Sequence, residues 1–455
     1  MKIICKLTYL MLFLSAQYVL KAQILTKEIS EQERIFNFSK VWSEIKYNFV
    51  NMDKINFDID SLYNAYIPEM LKAPTDYDYY RVMERFVTCF NDGHTELAYN
   101  SYWPHDLMDY FPCNISDFNK KIYITTVRKN IPGVDTTWLG AEIVEIDGLP
   151  AEKYLRDSIF PYVSASTEQH KWMQGVYKIA YHYKTKPFNA KIRKRNNDIE
   201  EISVKRNGET IRTENDTYAG PVPNYGEATV SFKFLEDSIG ILTVNRFYPD
   251  EEIISEINKS LPEIYKAKKL IIDLRRNGGG STACARYLQS LLTPEYSDSI
   301  LNYAWETRVN NGVGKANGNW IEEYKDYYNN RALEFHEPRV YHIADSIRRI
   351  KCPLVILASR FTFSAAEDFL VNIYEAPDRP VIIGEPTGGS TGSPLVVPLT
   401  GKTYLRVCTR RICYPYSFKR LVNEGVIPDI IVKQNINDYL AEKDIVLEKA
   451  LEYLK

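Results

Sequence analysis

Apolar side chains recur at Ile35, Phe36, Phe38, Val41, Trp42, Ile45 and Phe49, the spacing of an amphipathic helix within residues 28–50. Asp60 is positioned to cap a second helix reaching Leu71, and Thr75 opens a third that runs to about Phe90. Asn91-Asp92-Gly93 then stops the chain and delivers His94 into a loop. From Tyr110 to Arg206 the pattern becomes strand-like, as at Ile122-Tyr123-Ile124-Thr125 and from Ala190 to Val204. Within it, Leu139 to Ala151 reads as a strand, an Asp147-Gly148 turn and a short helix. The polar stretch from Asn207 to Glu227, which carries Pro and Gly, reads as a linker.

Beyond the linker, strand and helix alternate. Ile239–Val244 is a strand, Glu251–Ala267 a helix, and Lys269–Leu274 a buried strand that runs into Arg275-Arg276-Asn277-Gly278-Gly279-Gly280. The helix Thr282–Leu292 follows, then an apolar strand Leu354–Ala358, a helix Ala365–Tyr374 and a strand Val381–Gly384. Such alternation predicts a right-handed, mostly parallel α/β sheet, whose sites collect at the carboxyl ends of its strands. Both the Gly278 turn and Ser364 fall there. Asp298 to Ile350 is an insertion rich in Tyr and Trp, with the character either of a lid or of ordinary packing. Leu440, Leu447, Ala450, Leu451 and Leu454 mark a final amphipathic helix that docks on the sheet.

At 455 residues the chain predicts two to four domains. The 57 basic and 59 acidic residues leave a net charge of -2, which gives no argument for nucleic acid or a strongly charged substrate. Lys2 and Lys6 precede an apolar run, Leu7–Leu14, and the small residues Ser15, Ala16 and Ala22. That is the pattern of a secretory signal cut after Ala22, and the run is far short of the ~20 apolar residues of a membrane span. The mature chain is therefore expected to be exported, to the periplasm or outside the cell, with no stable span. Six cysteines remain after the cut, too few for a disulfide scaffold of this length. Neither they nor the six histidines show metal-ligand spacing, so neither a metal nor a cofactor is called for.

Ser364 sits on a strand-to-helix turn, beside backbone N–H groups and the positive end of a helix dipole. Two readings stand there: a presented nucleophile, or an ordinary N-cap. A serine nucleophile needs a base, and histidine can take and return the proton near neutral pH. Of the histidines, His94 stands out for its loop at a helix end, although a lone loop histidine is also a common surface residue. An oxyanion needs two donors aimed at one spot. The N–H of Ala365 is one candidate, and the Gly278-Gly279-Gly280 run supplies the second. Glycines between strand and helix also cradle phosphates, but neither GxGxxG nor GxxxxGK[ST] is present.

Four motifs in order carry a resemblance: Asp-Leu-Arg-Arg-Asn-Gly-Gly-Gly at 273–280, Thr-Phe-Ser-Ala-Ala-Glu at 362–367, Ile-Gly-Glu-Pro-Thr-Gly-Gly at 383–389, and Gly-Val-Ile-Pro-Asp at 425–429. Together they resemble the C-terminal processing and tricorn-type serine peptidases over nearly the whole mature chain. The Leu139–Ala151 segment likewise resembles part of a PDZ domain, which captures peptide ends at a sheet edge. The resemblance implies that Ser364 is the nucleophile and that Gly278 and Ala365 supply the oxyanion N–H groups. Tail-specific members place a lysine base where Gly389-Ser390 stands here, and no lysine lies between Ser364 and Lys402. The Asp92-Gly93-His94-Thr95 loop resembles instead the histidine loop of the tricorn-type branch, so His94 becomes the implied base. Glu424 stands near the place of that branch's acid, with Asp92 as the alternative partner of His94. The implied fold is an α/β catalytic core with a mixed, mostly parallel sheet, an N-terminal helical cap and a PDZ-like β-rich domain. The expected divisions are a signal peptide 1–22, a helical domain 23–100, the PDZ-like domain 107–207, the core 228–435 with its insertion 298–350, and a C-terminal helix 436–455. The implied function is hydrolysis of peptide bonds in a protein or peptide substrate. A non-catalytic protein on the same scaffold, holding an apolar ligand or a peptide end, is the alternative.

Overall fold

The computed structural model describes residues 28–99, 108–183, 186–206, 217–222, 228–235, 238–401, 403–421 and 423–455. The segment read as a signal, 1–22, lies outside them, as do His105, Lys402 and most of the 207–227 stretch.

A six-stranded sheet forms the centre. Its order is Val230–Phe234, Ile239–Val244, Lys269–Asp273, Leu354–Ala358, Val381–Gly384, Ile430–Ile431. The first pair is antiparallel and every later pair is parallel, with Leu270 opposite Leu354 and Ile356 opposite Ile382. Side chains alternate across a strand, so each strand feeds two cores. Leu242, Leu270, Ile272, Ile356 and Ile382 face the helices Asp250–Ile264, Thr282–Leu292 and Ala365–Tyr374. Ile241, Ile271, Val355, Leu357 and Ile383 face Val446, Ala450 and Leu454 of the last helix, Ile445–Leu454. Each such buried aliphatic side chain contributes about 1.5–3 kcal/mol relative to exposure. Burial on both faces is why these strands read as continuous apolar runs.

The first three helices are Glu31–Asn48, Ile59–Lys72 and Asp76–Thr88. Asp58, not Asp60, caps the second by accepting the Ser61 N–H at 2.8 Å. Asp60 turns instead to Lys46 and to the Trp42 indole. Phe38, Ile45, Tyr79 and Phe86 share a core with Leu405 and Val407 from far along the chain. Those two belong to Thr403–Val407, which pairs antiparallel with Glu96–Tyr99, Glu96 opposite Arg406. No described helix is long and apolar enough to cross a membrane.

Between these parts lies a seven-stranded sheet built from Cys113–Phe118, Lys121–Arg128, Glu142–Ile146, Leu149–Pro150, Phe188–Arg193, Ile199–Val204 and Tyr218–Ala219. The Asp147-Gly148 turn has φ of 48° and 79°, the pair of positive values a tight hairpin turn of this hand requires. One element was not foreseen in this strand-like region: the helix Glu168–Ile179, capped by Thr167. Trp172, Val176 and Ile179 bury its inner face at helical spacing. In the insertion, Ala304–Arg308 is the middle strand between Leu333–His336 and Arg410–Cys413.

Candidate active site

The strand Leu354–Ala358 ends in a turn laced to its neighbour. Ser359 Oγ donates to Arg275 O at 2.6 Å, Thr362 Oγ1 to Leu274 O at 2.9 Å, and the Phe363 N–H to Asn277 O at 3.0 Å. Ser364 follows with φ 56° and ψ -126°, a conformation an L-residue adopts only when its surroundings impose it. Its carbonyl accepts the N–H groups of Glu367 at 2.8 Å and Asp368 at 3.0 Å, which opens the helix, while its hydroxyl turns toward His94. The backbone starts the helix here, so the hydroxyl is available for other work.

His94 Nε2 lies 3.0 Å from Ser364 Oγ, and Nδ1 lies 2.8 Å from Ser390 Oγ. The histidine is not at the surface, as its loop suggested; it is 2% exposed. The first strand of the Glu96–Tyr99 pairing pulls the loop inward, and Asp92 Oδ1 fixes it by accepting the His94 N–H at 2.9 Å. Burial, with Arg406 and His170 nearby, lowers the imidazole pKa to about 3. His94 is therefore neutral near pH 7 and can accept a proton without first losing one.

The glycine turn closes the other side. Asn277 is fully buried, donates to Val244 O at 3.0 Å and accepts the Gly279 N–H at 2.9 Å, so one side chain sets the turn. A Cβ on Gly279, whose φ is +95°, would stand 2.6 Å from Ser364 Cβ and 2.8 Å from Ala365 N. Only glycine allows that approach. A Cβ on Gly278 would meet nothing within 4 Å, so Gly278 borders open space. Ala365 is the first residue of its helix, where the helical ladder offers its N–H no acceptor.

The expected acid is elsewhere. Glu424 is paired with Lys419 at 2.7 Å on a half-exposed surface, and none of its described contacts reaches His94. It directly precedes Gly425, whose φ of +74° and tight packing on Thr387 O turn the chain at that point. Asp92 touches the backbone of His94 and not its ring. The group on Nδ1 is Ser390, unremarked as a partner in the sequence. Behind it lies Glu367, fully buried, which accepts the N–H groups of Gly389 at 2.7 Å, Ser390 at 3.0 Å and Ser364 at 3.3 Å, and the Thr387 hydroxyl. Burial pushes its pKa up to about 8 against the pull of these donors. The signal for Glu367 was its place three residues into the helix, the position whose carboxylate reaches back to the cap. Among the described residues, no group of three His, Cys, Asp or Glu side chains is gathered to hold a metal.

Solved structures similar to this chain include two of mature CPAF and one of a putative peptidase. Mature CPAF complexed with lactacystin superposes with a TM-score of 0.67 at 16% identity, over 93% of this chain and 98% of that one. A second structure of mature CPAF gives 0.65 at 15%, over 93% and 95%. A putative peptidase from Parabacteroides merdae ATCC 43184 gives 0.51 at 17%, over 93% and 96%. At these identities the likeness is one of fold. Residues 238–432, which carry the glycine turn, Ser364 and the Gly425 turn, match the model of Peptidase family S41. That match places residues 238–432 in Peptidase family S41, and the chain is a serine-type peptidase.

Proposed function

We propose that the protein is an exported peptidase in which Ser364 is the nucleophile, His94 the base, and Gly278 and Ala365 the oxyanion donors. The observation that carries this reading is the 3.0 Å approach of His94 Nε2 to the hydroxyl of a serine held at positive φ. With Nδ1–H donating to Ser390 Oγ, the Nε2 lone pair faces the Ser364 hydroxyl. As Ser364 Oγ bonds to the peptide carbonyl carbon, its proton passes to Nε2. The carbonyl oxygen becomes an anion at the mouth of the glycine turn, where donors set in place beforehand stabilise it. The imidazolium returns its proton to the leaving amine. Water, deprotonated in turn by Nε2, then releases the acid and restores Ser364. In this reading residues 107–207 form the PDZ-like unit that presents a protein or peptide substrate, and residues 23–100 form the helical cap.

The test is hydrolysis of a denatured protein by Ser364→Ala and His94→Ala. Each loses several orders of magnitude in rate; turnover retained by either one sinks the mechanism. Export is tested by N-terminal sequencing of the protein recovered from a secreting host. A mature N-terminus at Gln23 supports it, and an intact Met1 in the cytoplasmic fraction refutes it.

A further inference from the structure

The ring of Phe363 is stacked with two imidazoles. His94 stacks on one face with centroids 4.8 Å apart and planes 1° apart. His170 stacks on the same ring at 4.7 Å and 12°. The edges are closed as tightly as the faces. A Cβ on Gly93 would stand 2.9 Å from Phe363 Cζ, and one on Gly388 would stand 2.5 Å from Phe363 Cδ2. Two glycines thus give the ring its room.

The outer wall is itself fixed. His170 Nδ1 lies 3.3 Å from Arg360 O, and its N–H donates to Thr167 Oγ1 at 3.3 Å. The start of its helix is bonded to the loops on either side: Ser166 Oγ accepts the Gly93 N–H at 2.9 Å, Thr167 Oγ1 donates to Gly388 O at 2.9 Å, and Gln169 Nε2 to Thr387 O at 2.9 Å. The His94 loop and the Ser390 loop are therefore held from one helix, with Phe363 between them. His94 must present Nε2 to Ser364 and Nδ1 to Ser390 in one plane, and rotation of the ring breaks both contacts. That plane is parallel to the plane of Phe363 to within 1°.

We propose that Phe363 and His170 are positioning residues, a two-ring support whose stacking fixes the imidazole plane of His94. This rests on the reading of His94 as the base. Aromatic faces in offset contact favour parallel arrangement without a hydrogen bond, so the support leaves both ring nitrogens of His94 free for chemistry. Burial holds both imidazoles below their ordinary range, so the stack consists of neutral rings near pH 7.

The experiment compares truncating with ring-retaining substitutions, reading kcat and KM on a fluorogenic peptide and the rate of fluorophosphonate labelling. Phe363→Leu and His170→Ala are expected to lower kcat and labelling about 10- to 100-fold with KM within about twofold, the scale of loss when a reacting group is misplaced by a fraction of an ångström to an ångström. His170→Phe, which keeps a ring without adding bulk at the closed Cζ edge of Phe363, is expected to recover most of it. The inference is overturned if the truncated variants keep kcat within about twofold of wild type, or if His170→Phe loses as much as His170→Ala. Where Phe363→Leu fails to fold by circular dichroism, the His170 pair decides alone. His94→Ala separates the two claims: full activity there removes the base and the support together, whereas inactivity there beside unaffected Phe363 and His170 variants removes only the support.

Discussion

Ser390 Oγ lies 2.8 Å from His94 Nδ1, and the Ser390 N–H donates to Glu367 Oε2 at 3.0 Å. The buried Glu367 side chain therefore holds the serine that holds the proposed base, and does so through the backbone. A hydroxyl beside Nδ1 accepts its N–H hydrogen bond without placing a charge beside the ring, which matches an imidazole kept neutral by burial.

Removing that hydroxyl leaves the Nδ1–H buried without its acceptor, and frees the tautomer with Nε2 protonated. Ser390→Ala is expected to lower kcat about 10- to 100-fold with KM nearly unchanged, and Ser390→Thr to retain most of the rate. Steady-state kinetics on a fluorogenic peptide decides it. An unaffected Ser390→Ala enzyme contradicts the role.

The lowered pKa of His94 makes two linked statements. Its folded value, about 3, lies below the ordinary 6.5, so the neutral form is favoured by folding, and stability present above pH 6.5 is lost as pH falls toward 3. The slope from this one group is at most about 1.4 kcal/mol per pH unit. Urea unfolding at several pH values is expected to show that slope in the wild type and its reduction in His94→Ala. The acidic limb of fluorophosphonate labelling is likewise expected well below pH 6.5; a midpoint at the ordinary histidine value counts against a buried base.

Ser364 stores strain at φ 56°. Glycine adopts this region freely, so Ser364→Gly is expected to be inactive yet more stable than wild type by about 1 kcal/mol. A melting temperature at or below that of the wild type argues against strain at the turn.

Gly279 and Gly278 are adjacent but differ in what surrounds them. Gly279→Ala drives a Cβ into Ser364 at a φ that alanine resists, and is expected to cost about 100-fold or more in kcat. Gly278→Ala has room for its methyl and is expected to leave the unfolding midpoint unchanged, by thermal denaturation.

Arg360 is paired with Asp117 at 2.6 Å, and donates to Asp117 O at 3.1 Å. Asp117 is 6% exposed, so Arg360→Met strands a buried carboxylate, at an expected cost of about 3 kcal/mol. Adding Asp117→Leu is expected to return part of that loss in a urea double-mutant cycle.

Much of the core was legible because its strands are buried on both faces and its helices are amphipathic, so Lys269–Asp273, Leu354–Ala358 and Ala365–Tyr374 announce themselves as runs and periods. Ser364 was legible from its turn, and His94 became so through the loop around it. The helix Glu168–Ile179 was not, because it lies within a region of strand-like pattern and only Thr167 marks its start. With it went His170 and the stack on Phe363. Ser390 was hidden for another reason: its role depends on an approach across 296 residues of chain, which no local pattern encodes. Glu424 drew attention by proximity to a motif, while the carboxylate that reaches the site loops, Glu367, lay inside one.

The strand Glu96–Tyr99 finds its partner only at Thr403–Val407, and the loop that carries His94 hangs from it. A ribosome that has delivered the chain as far as Ser364 has made the proposed nucleophile but not Ser390, nor the strand that draws His94 down onto it. The nascent polypeptide is in that sense safe from itself: the proteolytic assembly comes together only when one of the last strands to be synthesised clasps one of the first.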